Sequence, residues 1–391
     1  MTIDAKVQAK LARLAELMPK QPDTYVFIGQ GGGRFVGNVK YLFQHFARHR
    51  PDVRSYFLTS FSAVAKLLRG NGLPTLLFPD SRAVETLASA GTVVVDAFEF
   101  KHEAWAPLVR NTRIIQLWHG VGFKKIGMME KDMAVAGSYT PDEIDALYSG
   151  YHTVVSTSPF YVDEVFRKAF RAEHFVDLGY PRNDALFRRP TKDDVLTADM
   201  ETFQRIASLR KARRVVLYAP TFRDKVGNPI GANALDFKKL HAFLDAAGLH
   251  MVIKAHHLTT IEADSSLPHI SFYANDSDVY PFMPMVDAML TDYSSIYMDY
   301  LLLDRPVVFF CPDYDEYVRN NREFQFPYDT MTPGPQCRTQ DELHAALERA
   351  ATGDDGFAAQ RAALRGKAFA HQDGGSAQRI ADYLCGPRPQ A

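Results

Sequence analysis

Two histidines and a pair of serines sit where apolar runs give way to turns, and their side chains suit phosphate chemistry. His119 follows the run Ile114–Trp118 and precedes Gly120 and Gly122, which reads as the carboxyl end of a buried strand. Ligands of open α/β sheets bind at that edge. An imidazole there, with an ordinary pKa near neutrality, can accept a proton from a hydroxyl nucleophile. Lys124 and Lys125 add positive charge close by. His256 stands in the same way at the end of LHMVIKAHHL, after Lys254 and before His257. Adjacent residues of a strand point to opposite faces, so these two imidazoles are poorly placed to share a metal. Contact with phosphate is the role expected of His256. In TDYSSIYMDYLLL the apolar run Val286–Leu290 reads as a strand, and Thr291, Asp292, Ser294 and Ser295 gather where a helix should begin. A helix start has unpaired N–H groups and a partial positive charge that favour an anion, and the serines add two hydroxyl donors. Structural histidines and an ordinary N-cap are the competing readings.

The elements that must position these residues alternate along the chain. Tyr25–Ile28 reads as a strand, the following glycines as a tight loop, and Asn38–Phe46 as a helix. The loop satisfies neither phosphate-binding fingerprint: GxGxxG needs glycine at Arg34, and the Walker pattern needs Lys-Ser/Thr at Asn38 and Val39. Strand-like runs recur at Ser55–Leu58, Thr75–Phe78, Thr92–Val95 and in TVVSTS, with helical patterns between them, including Pro159–Phe170. This alternation implies a parallel sheet covered on both faces. FVDLGYPRND adds a short strand, a turn and the polar cluster Arg182, Asn183 and Asp184. Around Pro190 the chain becomes polar, as a domain boundary does. The second half repeats the pattern: RVVLYAPTFRD is a strand ending at Pro220 and Thr221, with Arg223 just beyond. The basic run Arg210–Arg214 reads as a solvated helix end. Aromatic and acidic residues alternate from Asp313 to Tyr328, where rings would stack on a base or pack on their own domain. A helical tail runs from Gln340, and HQDGGSAQRI opens a last short helix.

Composition sets the class. The chain has 391 residues, 46% hydrophobic and 23% charged, with a formal net charge of −1, so two globular domains are expected and nucleic acid is not an expected partner. Cys311, Cys337 and Cys385 are scattered and odd in number, which fits a reducing compartment and neither a disulfide framework nor a zinc site. The first residues lack the apolar core of a signal peptide, and no run reaches the ~18 residues of a membrane span. A cytoplasmic location is expected. Val7, Leu11, Leu14 and Met18 share one face of an amphipathic helix, suited to packing on its own domain or to an anionic membrane.

Taken together, GNVKYLF, LWHGVGFKKIG, GYPRND, LYAPTFRD, IKAHH, TDYSSIYMDY, the PGP loop at 333–335 and DGGSAQRI resemble the CDP-glycerol glycerophosphotransferase family, in family order over nearly the whole chain. One departure is His257, where the family often has proline. The resemblance implies an α/β, GT-B-like fold of two Rossmann-like domains facing across a cleft. Residues 1–190 would form an acceptor-side domain and 191–391 a nucleotide-donor domain, with the C-terminal helix crossing back to the first. It implies transfer of glycerol phosphate, or a related alditol phosphate, from CDP-glycerol or CDP-ribitol to a hydroxyl of a teichoic-acid-like or capsular polymer, or to a lipid-linked acceptor, with release of CMP. His119 would be the general base and His256 a donor to the phosphates. Ser294 and Ser295 would hold the pyrophosphate, with Arg182, Thr221, Arg223, Lys254 and Asp292 on the donor side, and Gly120 and Lys124 on the acceptor side. No cofactor is required on this reading, although bound magnesium is compatible with it. Peripheral contact with the cytoplasmic face of the inner membrane is a further expectation. The length is that expected of a minimal catalytic core, and oligomeric state stays open. A nucleotide-sugar glycosyltransferase or epimerase, and a non-catalytic component of a polymer-export complex, are the alternatives.

Overall fold

The apolar runs become strands of two separate parallel sheets. The computed structural model describes residues 4–130, 139–221, 235–255, 267–320 and 323–386. Two compact units result: one comprises residues up to His119, Ile126–Leu196 and the chain from Phe369, the other Gly120–Lys125 and Thr197–Ala368. The first unit therefore runs past Pro190 to Leu196, and the last helix belongs to it.

The first unit holds seven strands: β1 Gln21–Ile28, β2 Arg54–Thr59, β3 Thr75–Leu77, β4 Ala90–Val95, β5 Arg113–Gln116, β6 Tyr151–Val155 and β7 Ala172–Val176. Their order is β3-β2-β1-β4-β5-β6-β7, with every pairing parallel. Parallel strands are buried on both faces, which is why Tyr25–Ile28 and Val93–Val95 read as continuous apolar runs rather than alternating ones. Phe27, Phe43, Phe46 and Phe57 pack on one side of β1 with Ile380 and Leu384 of the helix Ser376–Cys385. The Phe35 ring meets Phe57 edge-on at 4.9 Å. The N-terminal helix Ala5–Leu17 packs against the helix Ser81–Ser89 and the turn Ala106–Leu108 of the same unit, and leaves Val7 and Leu17 exposed. None of the described helices is long and apolar enough to cross a membrane.

The second unit holds β8 Arg214–Ala219, β9 Leu249–Ile253, β10 Ile270–Phe272, β11 Ala288–Thr291, β12 Val307–Phe310 and β13 Gln336–Cys337, again all parallel, in the order β10-β9-β8-β11-β12-β13. The basic run after the helix Met200–Leu209 is a surface feature: Arg213 pairs with Asp245 and Arg210 with Asp287.

In each sheet the strand order reverses once, between β1 and β4 and between β8 and β11. Such a switch point leaves a crevice at the carboxyl ends of the strands. In the first sheet Asp96 immediately follows β4 at this point and is fully buried. Its Oδ2 accepts the Val39 N–H at 3.3 Å, while Oδ1 has no hydrogen-bond partner among the described residues. The chain approaches so closely that a Cβ on Gly37, which has φ +70°, would lie 2.7 Å from Asp96 Oδ2. Burial raises the Asp96 carboxyl from its ordinary 3.8 to about 7, against the opposing pull of the Val39 N–H and of Arg182.

A raised carboxyl pKa makes the folded state the better proton binder, so the stability this group contributes is complete below about pH 4 and lost as pH rises through about 7. Asp96→Asn should therefore flatten the fall in unfolding free energy between pH 4 and pH 8, by an amount on the order of a few kcal/mol. Chemical denaturation at several pH values measures this. Parallel stability-versus-pH curves for the two proteins would show that Asp96 does not titrate in this window.

Candidate active site

The first cluster grows from the end of β5. The sequence suggested a strand through Trp118, but pairing stops at Gln116 because Trp118 takes a left-handed conformation, φ +55°. A bulky residue there is strained and must be held by its surroundings. The Trp118 N–H donates to Gln116 Oε1 at 2.9 Å, and its carbonyl accepts from Asn38 Nδ2 at 2.7 Å. Its ring packs edge-on against Phe170 at 5.2 Å. This bend carries His119 out of the strand direction to an exposed position. Its ring lies against that of Trp118, 4.1 Å between centroids. His119 Nδ1 is 3.1 Å from the main-chain carbonyl of Asp96. A carbonyl only accepts, so Nδ1 carries the proton in this bond, and the neutral ring keeps its basic lone pair on Nε2.

Arg182 belongs to the same cluster. It was expected among the donor phosphates, but its guanidinium is buried in the first unit and donates to the His119 carbonyl at 2.7 Å. Its N–H donates to Asn38 Oδ1 at 3.2 Å, so one buried amide side chain ties the Trp118 bend to the PRND turn. Two residues on, Asp184 accepts the N–H groups of Ser376 and Ala377 at 2.9 and 2.8 Å, which closes the start of the last helix. Burial raises this carboxyl to about 6 in spite of those bonds. Gly179, with φ +85°, lets the chain pass Ser376: a Cβ would lie 2.5 Å from its hydroxyl. GNVKYLF, LWHG, GYPRND and DGGSAQRI are therefore parts of one network. Asn38 and Asp96 were not singled out from the sequence. The cue was a polar residue opening an apolar helix pattern and a lone acid after the Thr92–Val95 run.

The second cluster surrounds the β8/β11 switch point. Asp292, almost fully buried, follows β11. Its Oδ1 accepts from Thr221 N–H at 2.8 Å and Thr221 Oγ1 at 2.7 Å, and from the N–H groups of Tyr293 and Ser294 at 2.5 and 3.2 Å. One carboxylate thus joins the YAPT and TDYSS turns. The helix beyond is shorter than the sequence suggested: Ile296–Tyr300, then a 3-10 turn Leu301–Leu303 that ends at Asp304 with φ +53°. Ser295 has helical angles, and its hydroxyl makes no cap. Lys254 lies beyond β9, next to β8, and its Nζ donates to Asn275 O at 2.5 Å. His256 and Arg223 lie outside the described residues.

The segment after His119 also lies here. A Cβ on Gly122 would be 3.0 Å from the Ser295 Cβ, so the glycine lets this strand of chain pass close to the loop. The Phe123 carbonyl accepts the Gln325 N–H at 2.6 Å, and the Lys125 N–H donates to Glu323 O at 3.0 Å. Lys124 Nζ stands 5.4 Å from the centre of the Tyr317 ring, and Gly120 has φ +144°. Aromatic residues of the segment that ends at Tyr328 pack on one another and on Tyr293. Tyr293 and Tyr317 are stacked at 3.7 Å, and both are buried, as is Tyr328. The Tyr328 hydroxyl donates to the Asp292 carbonyl at 3.0 Å and lies 2.9 Å from Cys311 Sγ, whose thiol burial pushes up to about 12.

Known proteins are similar to this chain in sequence and in fold. A family model described as CDP-Glycerol:Poly(glycerophosphate) glycerophosphotransferase matches residues 10–386. The teichoic acid ribitol-phosphate primase of Bacillus spizizenii is 29% identical over 383 residues, 95% of this chain and 93% of that one. The teichoic acid poly(glycerol phosphate) polymerase of the same organism is 24% identical, covering 88% of each chain. Among solved structures, the wall teichoic acid polymerase TagF has the same fold at a TM-score of 0.75 and 24% identity, covering 96% of this chain and 92% of that one. An S. aureus MnaA–UDP structure is similar at a TM-score of 0.59 and 14% identity, covering 94% and 98%. Because the match extends through both units, the chain belongs to the CDP-glycerol:poly(glycerophosphate) glycerophosphotransferase family and is an enzyme of phosphoryl transfer.

Proposed function

We propose that this enzyme moves an alditol phosphate from CDP-glycerol or CDP-ribitol to a terminal hydroxyl of a teichoic-acid-type acceptor, polymeric or lipid-linked, and releases CMP. The observation that carries the reading is the tautomer of His119. With Nδ1–H held by the Asp96 carbonyl, Nε2 is the atom that accepts the hydroxyl proton. The acceptor oxygen attacks the phosphorus bearing the alditol, and the bond from that phosphorus to the bridging oxygen breaks. The electron pair leaves with CMP. Arg182 through the His119 carbonyl and Asn38 through the Trp118 carbonyl keep the imidazole in place. On the donor side, Thr221, Ser294 and Ser295 border the pyrophosphate and Lys254 supplies charge, with Gly120 and Lys124 on the acceptor side. By family resemblance, His256 and Arg223 join the donor side. Asp292 is a positioning residue: its Oδ1 is committed to the loop, an arrangement suited to holding backbone rather than a cation. The phosphates are then stabilised by side-chain charge, and magnesium is not required. A lipid-linked acceptor would bring the enzyme to the cytoplasmic membrane surface.

A donor panel with a teichoic-acid-type acceptor tests the reaction. CMP should be released from CDP-glycerol or CDP-ribitol, with mass analysis showing the acceptor lengthened by one alditol phosphate. Release of UDP or GDP from a nucleotide sugar would replace this reading with glycosyl transfer. CMP formation in EDTA should match that in magnesium, and a strict need for the cation would put a metal on the pyrophosphate.

His119→Ala should lower kcat by about 10²–10⁴-fold while CDP-alditol affinity stays within about twofold, as expected on losing a general base. Unchanged turnover would remove His119 from the mechanism. Asn38→Ala removes the partner of two main-chain groups and should cost about 1–3 kcal/mol of stability. At a temperature where the variant remains folded, kcat should fall with donor affinity retained. Normal kcat in the folded variant would show that the bend at Trp118 holds without it.

A further inference from the structure

At the opposite edge of the first sheet from His119, where β6 and β7 begin, three exposed or half-buried side chains converge. His152 is the second residue of β6, and Glu173 and His174 are the second and third of the edge strand β7. One ring nitrogen from each histidine and one carboxylate oxygen of Glu173 all lie within 4.8 Å of one another. His152 Nε2 is 3.8 Å from Glu173 Oε2, and the imidazole centroids are 5.0 Å apart. The reaction proposed above uses none of the three.

We propose that His152, Glu173 and His174 bind a zinc ion, with water at the remaining position. The donor set is two imidazoles and one carboxylate, which suits zinc and leaves an open fourth site. Zn–N bonds of about 2.0–2.1 Å put neighbouring ligand atoms about 3.3 Å apart in a tetrahedral site. The three groups therefore need to close by up to about 1.5 Å, through rotation of Glu173 and His174, exposed neighbours near the start of the edge strand whose ligand atoms already reach one another round it. The second observation is the partner of His152. Its Nδ1 lies 2.8 Å from Thr153 Oγ1, which in turn is 3.4 Å from the Tyr383 hydroxyl. When the Thr153 hydroxyl accepts from Nδ1, the Nε2 lone pair faces Glu173, the outer support that metal-binding histidines use. Arg113 is the nearby cation that acts on His152, and the Glu173 carboxylate opposes it. The ion would clamp β7, the edge strand, to β6 and so cover part of an otherwise open edge.

Untagged, chelator-stripped full chain should be titrated with zinc against a chromophoric chelator, together with His174→Ala, Glu173→Gln and Thr153→Val. The wild type should bind one equivalent that His174→Ala lacks. Glu173→Gln should weaken that equivalent at least about tenfold, and Thr153→Val about 10–100-fold. The thermal unfolding midpoint should rise with zinc in the wild type and not in His174→Ala, with CMP release equal in both proteins without metal. Identical zinc stoichiometry and thermal response in wild type and His174→Ala would overturn the site. So would a wild type that binds no zinc.

Discussion

The first unit depends on a single buried amide. Asn38 Nδ2 holds the carbonyl of Trp118, and its Oδ1 holds the N–H of Arg182. Both partners lie in turns that have left their sheet, so neither has a strand neighbour to satisfy it. A side chain with one donor and one acceptor end can complete two such backbones at once, and a hydroxyl or a carboxylate could not do so equally well. Without that tie the left-handed Trp118 would lose the bond that opposes its strain, and His119 would lose its fixed exit from the strand. The direction in which His119 leaves the strand therefore rests on a side chain bonded to its neighbour's carbonyl.

The second unit solves the same problem with charge. Asp292 Oδ1 gathers two bonds from Thr221 and two main-chain N–H groups from its own loop. Both solutions sit where parallel strands end, because the ladder stops there while the chain must still be shaped. In each unit the motif residues do more shaping than chemistry. Asp184 closes a helix start, Gly179 and Gly122 admit close passage of backbone, and Arg182 grips a carbonyl. This explains why short motifs scattered along the chain can specify one cluster in each unit: several of them are the two ends of the same hydrogen bonds.

Much of the architecture was legible in the sequence because buried parallel strands write themselves as apolar runs. Tyr25–Ile28, Thr92–Val95 and the strand before Thr221 lie within β1, β4 and β8. Their ends were less legible. Leu117 and Trp118 are as buried as the strand before them, so hydrophobicity runs on after pairing has stopped. The helix after Ser295 was over-extended for the same reason, since Leu301 is buried in a 3-10 turn as it would be in a helix. Asn38 and Asp96 escaped notice because their roles arise from contacts far away in sequence. Asn38 bonds residues 80 and 144 positions away. Arg182 read as one of a polar cluster after a turn, and the family resemblance set it beside phosphate; its guanidinium is buried and donates to the His119 carbonyl.

The shortness of the helix after Ser295 alters how the donor charge must be met. A long helix would bring an aligned dipole and several unpaired N–H groups to the pyrophosphate. Here the helix has five residues, and the N–H groups of Tyr293 and Ser294 already point at the Asp292 carboxylate. That carboxylate places negative charge beside the loop, so the backbone alone offers an anion little. If this loop holds the pyrophosphate, hydroxyls and a cation remain to meet it: Ser294 and Ser295 in the loop and Lys254 after the neighbouring strand. A loop tied by Asp292, with Lys254 held by the Asn275 carbonyl, therefore offers an anion side chains rather than a backbone dipole.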